Sequence, residues 1–135
     1  MTRCRRWLRL GTLLAAVAGL WSCVAPILTV PPPGAVTFTP AFVASVGGAQ
    51  SQFWTTEGGP LEQAAGAAYF VMNKRLASGV IATAQPDGSF KAPPLEGNEN
   101  DEIRIYYRTM TGDYSEPACF SLVEGTSPEL AACSP

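Results

Sequence analysis

Four carboxylates and two side-chain amides crowd into Glu96-Gly97-Asn98-Glu99-Asn100-Asp101-Glu102. Oxygen ligands on a loop are what calcium takes, and Glu99 and Asp101 are the candidates here, although the alternating positions and closing bidentate Glu of an EF-hand are missing. A solvated acidic loop at one end of a domain is the competing reading. Paired acids also serve glycoside hydrolysis, but that chemistry needs a cleft with two carboxyl groups about 5–10 Å apart, and a small β-domain has little room for one. The chain has no histidine. Ser-His-Asp and Cys-His nucleophile systems, His-ligated zinc and an imidazole switch near neutral pH are therefore excluded. A non-enzymatic protein without cofactor or resident metal is the expectation.

Flat aromatic side chains are the other candidates for contact chemistry, since they stack on sugars and anchor peptide interfaces. Trp54 and Tyr106 are the possible ligand contacts. Tyr106 lies between Arg104 and Arg108 on the outward set of a strand, where a cross-strand pair on a wet sheet face is the alternative. Tyr107 falls in the inward set and reads as core. Lys74-Arg75 reads as a solvated basic pair in a turn.

Charge is unevenly spread. Of nine basic residues four are Arg3, Arg5, Arg6 and Arg9, whereas all eleven acids lie at or after Glu57. Without the first 22 residues the net charge becomes −6. A nucleic-acid partner is excluded on that ground, because phosphate backbones need a basic footprint. The remaining length suits a single domain.

Met1 to Arg9 and the apolar run Leu10 to Leu20 form the charged and hydrophobic regions of an export signal, assigned to residues 1–22. An uncleaved membrane anchor is the alternative, although the run is shorter than the roughly 20 apolar residues of a span. Leu20-Trp21-Ser22-Cys23 resembles the lipobox of bacterial lipoproteins, with Leu20, Ser22 and Cys23 matching and Trp21 larger than usual. The competing small-x-small site, Cys23-Val24-Ala25, would place Pro26 after the cut. The resemblance implies lipid on Cys23, a lipid bilayer as first partner and a place in the bacterial cell envelope. Val24, where an Asp would retain the protein at the inner membrane, implies the outer membrane. Arg5-Arg6 reads as ordinary signal charge and not as a twin-arginine motif. With Cys4 in the signal and Cys23 at the lipid site, Cys119 and Cys133 remain, and they are expected to form a disulfide in an oxidising compartment.

Residues 23–34 contain Pro26, Pro31, Pro32, Pro33 and Gly34 and read as a semi-rigid spacer. Residues 35–135 then alternate Val, Phe, Thr and Tyr runs with turn residues, the pattern of an all-β antiparallel sandwich followed by a tail. Strands are expected at Val36–Thr39, limited by Pro40 to an edge strand or a bulge, and at Gln52–Thr56, Ala67–Met72, Val80–Ala84, Ser89–Lys91, Glu102–Thr109 and Ala118–Val123. Asp87-Gly88 is expected to close a hairpin. The expected core is Phe70, Phe90, Ile103, Ile105 and Tyr107. Helix is confined to a turn or two near Pro60–Ala68.

The order of a strand, Ala77-Ser78-Gly79, another strand, Asp87-Gly88-Ser89-Phe90, an acidic connection, the Asp101–Arg108 strand and Thr111-Gly112-Asp113 resembles bacterial immunoglobulin-like modules. It is similar also to carboxypeptidase-regulatory-like and fibronectin type III-like sandwiches. Asn100 replaces the glycine those modules place before the acidic residue. The resemblance implies a structural or interaction module with an envelope protein or glycan as partner, and no reaction.

Overall fold

The computed structural model describes residues 29–135. The export signal and Cys23 lie outside the described residues. Eight strands follow in order: β1 (Val36–Val46), β2 (Ala49–Gly58), β3 (Ala68–Asn73), β4 (Ser78–Thr83), β5 (Phe90–Glu96), β6 (Glu102–Arg108), β7 (Ala118–Ser121) and β8 (Gly125–Ser127). They form two four-stranded sheets, β5-β2-β1-β8 and β4-β3-β6-β7. Every pairing is antiparallel. The all-β sandwich read from the sequence is the observed fold, and the segment before β3 contributes a single 3₁₀ turn, Glu62–Ala64.

The inner faces make one core. β6 alternates as its sequence demands, with Ile103, Ile105 and Tyr107 fully buried and Arg104, Tyr106 and Arg108 facing out. Tyr69 and Val71 of β3 join them, and the other sheet brings Val36, Phe38, Trp54, Phe90 and Leu95. Aromatic rings lock the layers together. Tyr69 stacks on Phe90 across the sheets with centroids 3.9 Å apart, lies 5.1 Å from Tyr107, and Phe38 meets Phe120 edge-on at 6.4 Å. Burial, together with the neighbouring Tyr107, pushes the Tyr69 hydroxyl far above its usual range.

Several expectations need correction. The run Ala67–Met72 is apolar on both sides, yet only one face of β3 is covered. Phe70 is therefore not core; it is half-buried on the outer face and stacks on Tyr106, its register partner, at 4.9 Å. Asp87-Gly88 reverses the chain but closes no hairpin, because β4 and β5 belong to different sheets. The turn chemistry itself is as read. The Asp87 carboxylate accepts from the Ser89 N–H and hydroxyl, and Gly88 has φ of 80° with Leu61 backbone so close that a Cβ would lie 1.8 Å from its carbonyl oxygen. Pro40 produces a bulge between Pro40 and Phe42 and the strand runs on beyond it. β1 and β2 thus extend as a long hairpin that turns through Gly47-Gly48, both at positive φ.

Both ends of the domain are more ordered than a spacer and a tail. Val30 packs on the core, Pro33 is buried, and the Tyr107 hydroxyl donates to the Pro31 carbonyl at 2.8 Å. The later half of the proline segment therefore belongs to the sandwich. At the other end β8 pairs with the start of β1. The tail then returns along β7, where the Leu130 N–H donates to the Cys119 carbonyl. Cys119 and Cys133 are joined at 2.03 Å, 14 residues apart. Lys74 donates to the Ser134 and Pro135 carbonyls, Arg104 to that of Ser134 at 3.3 Å, and Glu102 accepts from the Ser134 N–H at 3.1 Å.

Two stability tests follow from this packing. In urea titrations Ile105→Ala is expected to lose about 2–5 kcal/mol as a cavity opens between the sheets, whereas Ile81→Ala on the exposed face should stay within about 0.5 kcal/mol of wild type. Cys133→Ser should cost about 3 kcal/mol by the chain-entropy argument for a loop of this size. Equal midpoints for Cys133→Ser and wild type under non-reducing conditions would contradict it.

Candidate functional site

The outward residues of β6 collect the features the sequence singled out. Tyr106 sits in an aromatic ladder with Phe70 on one side and Tyr114 on the other, its centroid 6.2 Å from that of Tyr114. Register places Tyr114 there: the turn Thr109–Asp113 folds the chain back so that Tyr114 bridges Arg108. The turn is closed by the Thr109 N–H on the Asp113 carbonyl at 2.8 Å and by the Asp113 N–H on the Thr109 hydroxyl at 3.0 Å. The Arg108 guanidinium lies 5.8 Å from the Tyr114 centroid, within cation–π range. Tyr114 is 59% exposed and is thus a more open aromatic than half-buried Tyr106. The glycine-aspartate turn ahead of it was the signal in the sequence that could have found it.

Arg104 and Arg108 differ although both flank Tyr106. Among the described residues, Lys74, Arg75 and Lys91 pair with Glu102, Asp101 and Glu57, and the two β6 arginines have no carboxylate partner. Arg104 lies under the tail, with its Nε buried and without an acceptor. Arg108 is exposed. The Arg108 end of this face is open with Tyr114 beside it, and next to Arg104 its register partner Met72 is exposed as well.

Trp54 is not a contact residue. It is buried on the inner face of β2, and its indole N–H donates to the Gly97 carbonyl at 2.9 Å. Its neighbour Phe53 takes the outer side and stacks on Phe42 at 4.8 Å.

The acidic loop is not an open calcium cradle either. Asp101 is buried, and its two oxygens accept from Arg75 Nε at 2.6 Å, Arg75 Nη2 at 2.9 Å, Asn73 Nδ2 at 2.8 Å and the Asn98 N–H at 2.8 Å. Those lone pairs are already engaged by protein donors. Burial opposes the charge, but the Arg75, Asn73 and Asn98 hydrogen bonds and the Arg75 charge outweigh it and hold the Asp101 carboxyl at about 2. Glu99 stays exposed nearby. Arg75 is accordingly paired with Asp101 while its side chain stays about half exposed to water, as read from the sequence, and the same pairing raises its guanidinium above its usual value.

Two further arrangements have chemical types but not chemical availability. Glu102, Cys119 and Cys133 bring potential ligand atoms within 4.8 Å of one another, yet both sulfurs are in the disulfide and offer no thiolate. The depression lined by Pro33, Gly59, Pro60, Leu61 and Tyr69 measures about 160 Å³, below the roughly 300 Å³ at which small-molecule pockets begin, whereas the shallower, more polar one beside it, lined by Thr37, Glu57, Gln85, Ser89 and Lys91, measures about 490 Å³.

No protein-family description, no curated protein and no solved structure matches this chain.

The Asp101 network gives a pH test. A carboxyl held at about 2, below its ordinary 3.8, contributes stability that is complete above about pH 4 and is lost as pH falls towards 2. Asp101→Ala should destabilise by about 1–3 kcal/mol at neutral pH, because it leaves buried donors unpaired. Its unfolding midpoint should also vary less between pH 4 and 2 than that of wild type. Parallel pH profiles for the two proteins would refute the role given to this carboxylate.

Proposed function

We propose that this chain is an exported lipoprotein, anchored through acylated Cys23 in the bacterial outer membrane, whose sandwich is a non-enzymatic structural or interaction module. The observation that carries the reading is Leu20-Trp21-Ser22-Cys23 at the end of an Arg-led apolar run. Two features of the fold support it. The Cys119–Cys133 disulfide suits an oxidising compartment outside the cytoplasm. Val30 packs on the core and the Pro31 carbonyl is bonded to Tyr107, and both lie close after Cys23 in the sequence, so a lipid on that cysteine would hold the folded body near a bilayer.

The immunoglobulin-like likeness fits a module that presents surfaces rather than a reaction centre. Partner contact, with an envelope protein or a glycan, is assigned to the β6 outer face around Tyr106 and its register partner Phe70. Tyr106 offers a large apolar ring with a polar tip there, the composition that interfaces favour.

Acylation is read directly by mass. Wild-type protein from the membrane fraction should begin at Cys23 and carry diacylglycerol with or without a third chain, each buried methylene adding about 0.8 kcal/mol of membrane affinity. Cys23→Ala should abolish acylation and yield an unprocessed precursor or a mis-sorted product. Wild-type protein recovered soluble, with an unmodified Cys23 thiol, overturns the proposal.

A further inference from the structure

We infer that the sandwich end bearing the Thr109–Asp113 turn faces the lipid bilayer and seats Met110 among the headgroups. The inference rests on the proposed anchor at Cys23 and adds an orientation to it. Cys23 and Val30 are seven positions apart in the sequence, so the tether spans at most about 25 Å when fully extended. Val30 and Pro33 are packed on the domain and the Pro31 carbonyl is bonded to Tyr107. The tether therefore joins the body at a fixed place and not through a free spacer.

That place lies at one end of the strands. The pairs Val36↔Gly58 and Ala68↔Arg108 mark this end in the two sheets, and Gly66 faces the Met110 sulfur across it. The opposite extreme is the β1–β2 hairpin tip at the Val46↔Ala49 pair. β1 has 11 residues, so the tip stands about 33 Å from Val36 at the usual strand rise. Upright on its hairpin, the domain would lift the tether junction beyond the tether's reach. Seated on the Val36 end, it leaves the tether slack.

The side chains at that end suit a headgroup layer. Met110 is 80% exposed at the apex of its turn and Tyr114 is 59% exposed beside it. Tyrosine favours the membrane–water boundary, and a guanidinium held over its ring, as Arg108 is, can reach lipid phosphate. Glu62, Asp87 and Asp113 are exposed in the turns of the same end. With the exposed Glu57–Lys91 pair beside them, four carboxylates stand against two cations, so the contact is apolar and not electrostatic, and anionic lipid should weaken it.

The test uses the full mature lipoprotein in phosphatidylcholine vesicles containing lipids with a quencher in the acyl chain. Met110→Cys and Ser45→Cys, both at exposed positions, are each labelled with a polarity-sensitive fluorophore while the native disulfide stays oxidised. The label at position 110 should be blue-shifted and quenched several-fold more than that at position 45, and replacing part of the lipid with phosphatidylglycerol should reduce the difference. Equal quenching at the two positions, or stronger quenching at 45, overturns the orientation while leaving the anchor intact. Failure of the protein to remain with the vesicles overturns the anchor and the orientation together.

Discussion

A carboxylate taken out of water has to be repaid by donors, and the end of the sandwich opposite Val36 is organised around meeting that demand for Asp101. The penalty for burying an ion is several kcal/mol, offset only when its lone pairs are bonded. Asn73 ends β3, Arg75 comes from the β3–β4 turn and Asn98 from the β5–β6 connection. The backbone of Asp101 extends the same node, since its carbonyl accepts from Leu122 and the Asn100 N–H returns to the Leu122 carbonyl. Gly97, directly after β5, continues the β5–β2 pairing by bonding Gln52 and Trp54, and Asn73 Nδ2 donates across the layers to the Glu96 carbonyl at 3.1 Å. A Cβ at Gly97 would lie 2.6 Å from the Leu122 side chain and 2.9 Å from Asn73 Nδ2. One ion therefore fixes two connections, a strand end and a contact between layers.

How much of this could be read from the residues depended on how local the deciding interaction is. β6 was legible because alternation carries its own answer: a strand with Ile103, Ile105 and Tyr107 on one side has only one way to face. β3 was not, since Phe70 and Met72 are as apolar as Tyr69 and Val71, and only the absence of a covering layer tells the faces apart. Asp87-Gly88 announced a reversal, but a turn does not say which strand receives the chain. Asp101 looked like a cation ligand because Arg75, its partner, is 26 residues away. β8 is three residues of Gly, Thr and Ser, and nothing local marks it as a strand. On the site side, the outward place of Tyr106 was legible from β6, while burial of Trp54 was not, because Phe53 beside it is equally aromatic and took the other face.

The edges of the sheets are guarded unequally. The tail lies along β7 under the Cys119–Cys133 bridge, and Lys74 and Arg104 hold its last carbonyls. β8 covers β1 only from Val36 to Phe38. Beyond that point no side chain is charged until Glu57, and the protection left to β1 is the Pro40 bulge, which interrupts the regular row of donors and acceptors that strand addition needs.

The pairing of β1 with β8 also sets an order of events in time. A chain emerging from a ribosome or a translocation pore delivers Val36 early, and the β1–β2 hairpin can form at once from neighbours in sequence. The other side of β1 has to wait, because Thr37 and Thr126 are 89 residues apart. Contacts of such separation form late and slowly. The first strand of the domain is thus finished by residues that arrive 89 positions later, so the compartment that receives this chain must receive it through Ser127 before the sheet holding β1 is complete.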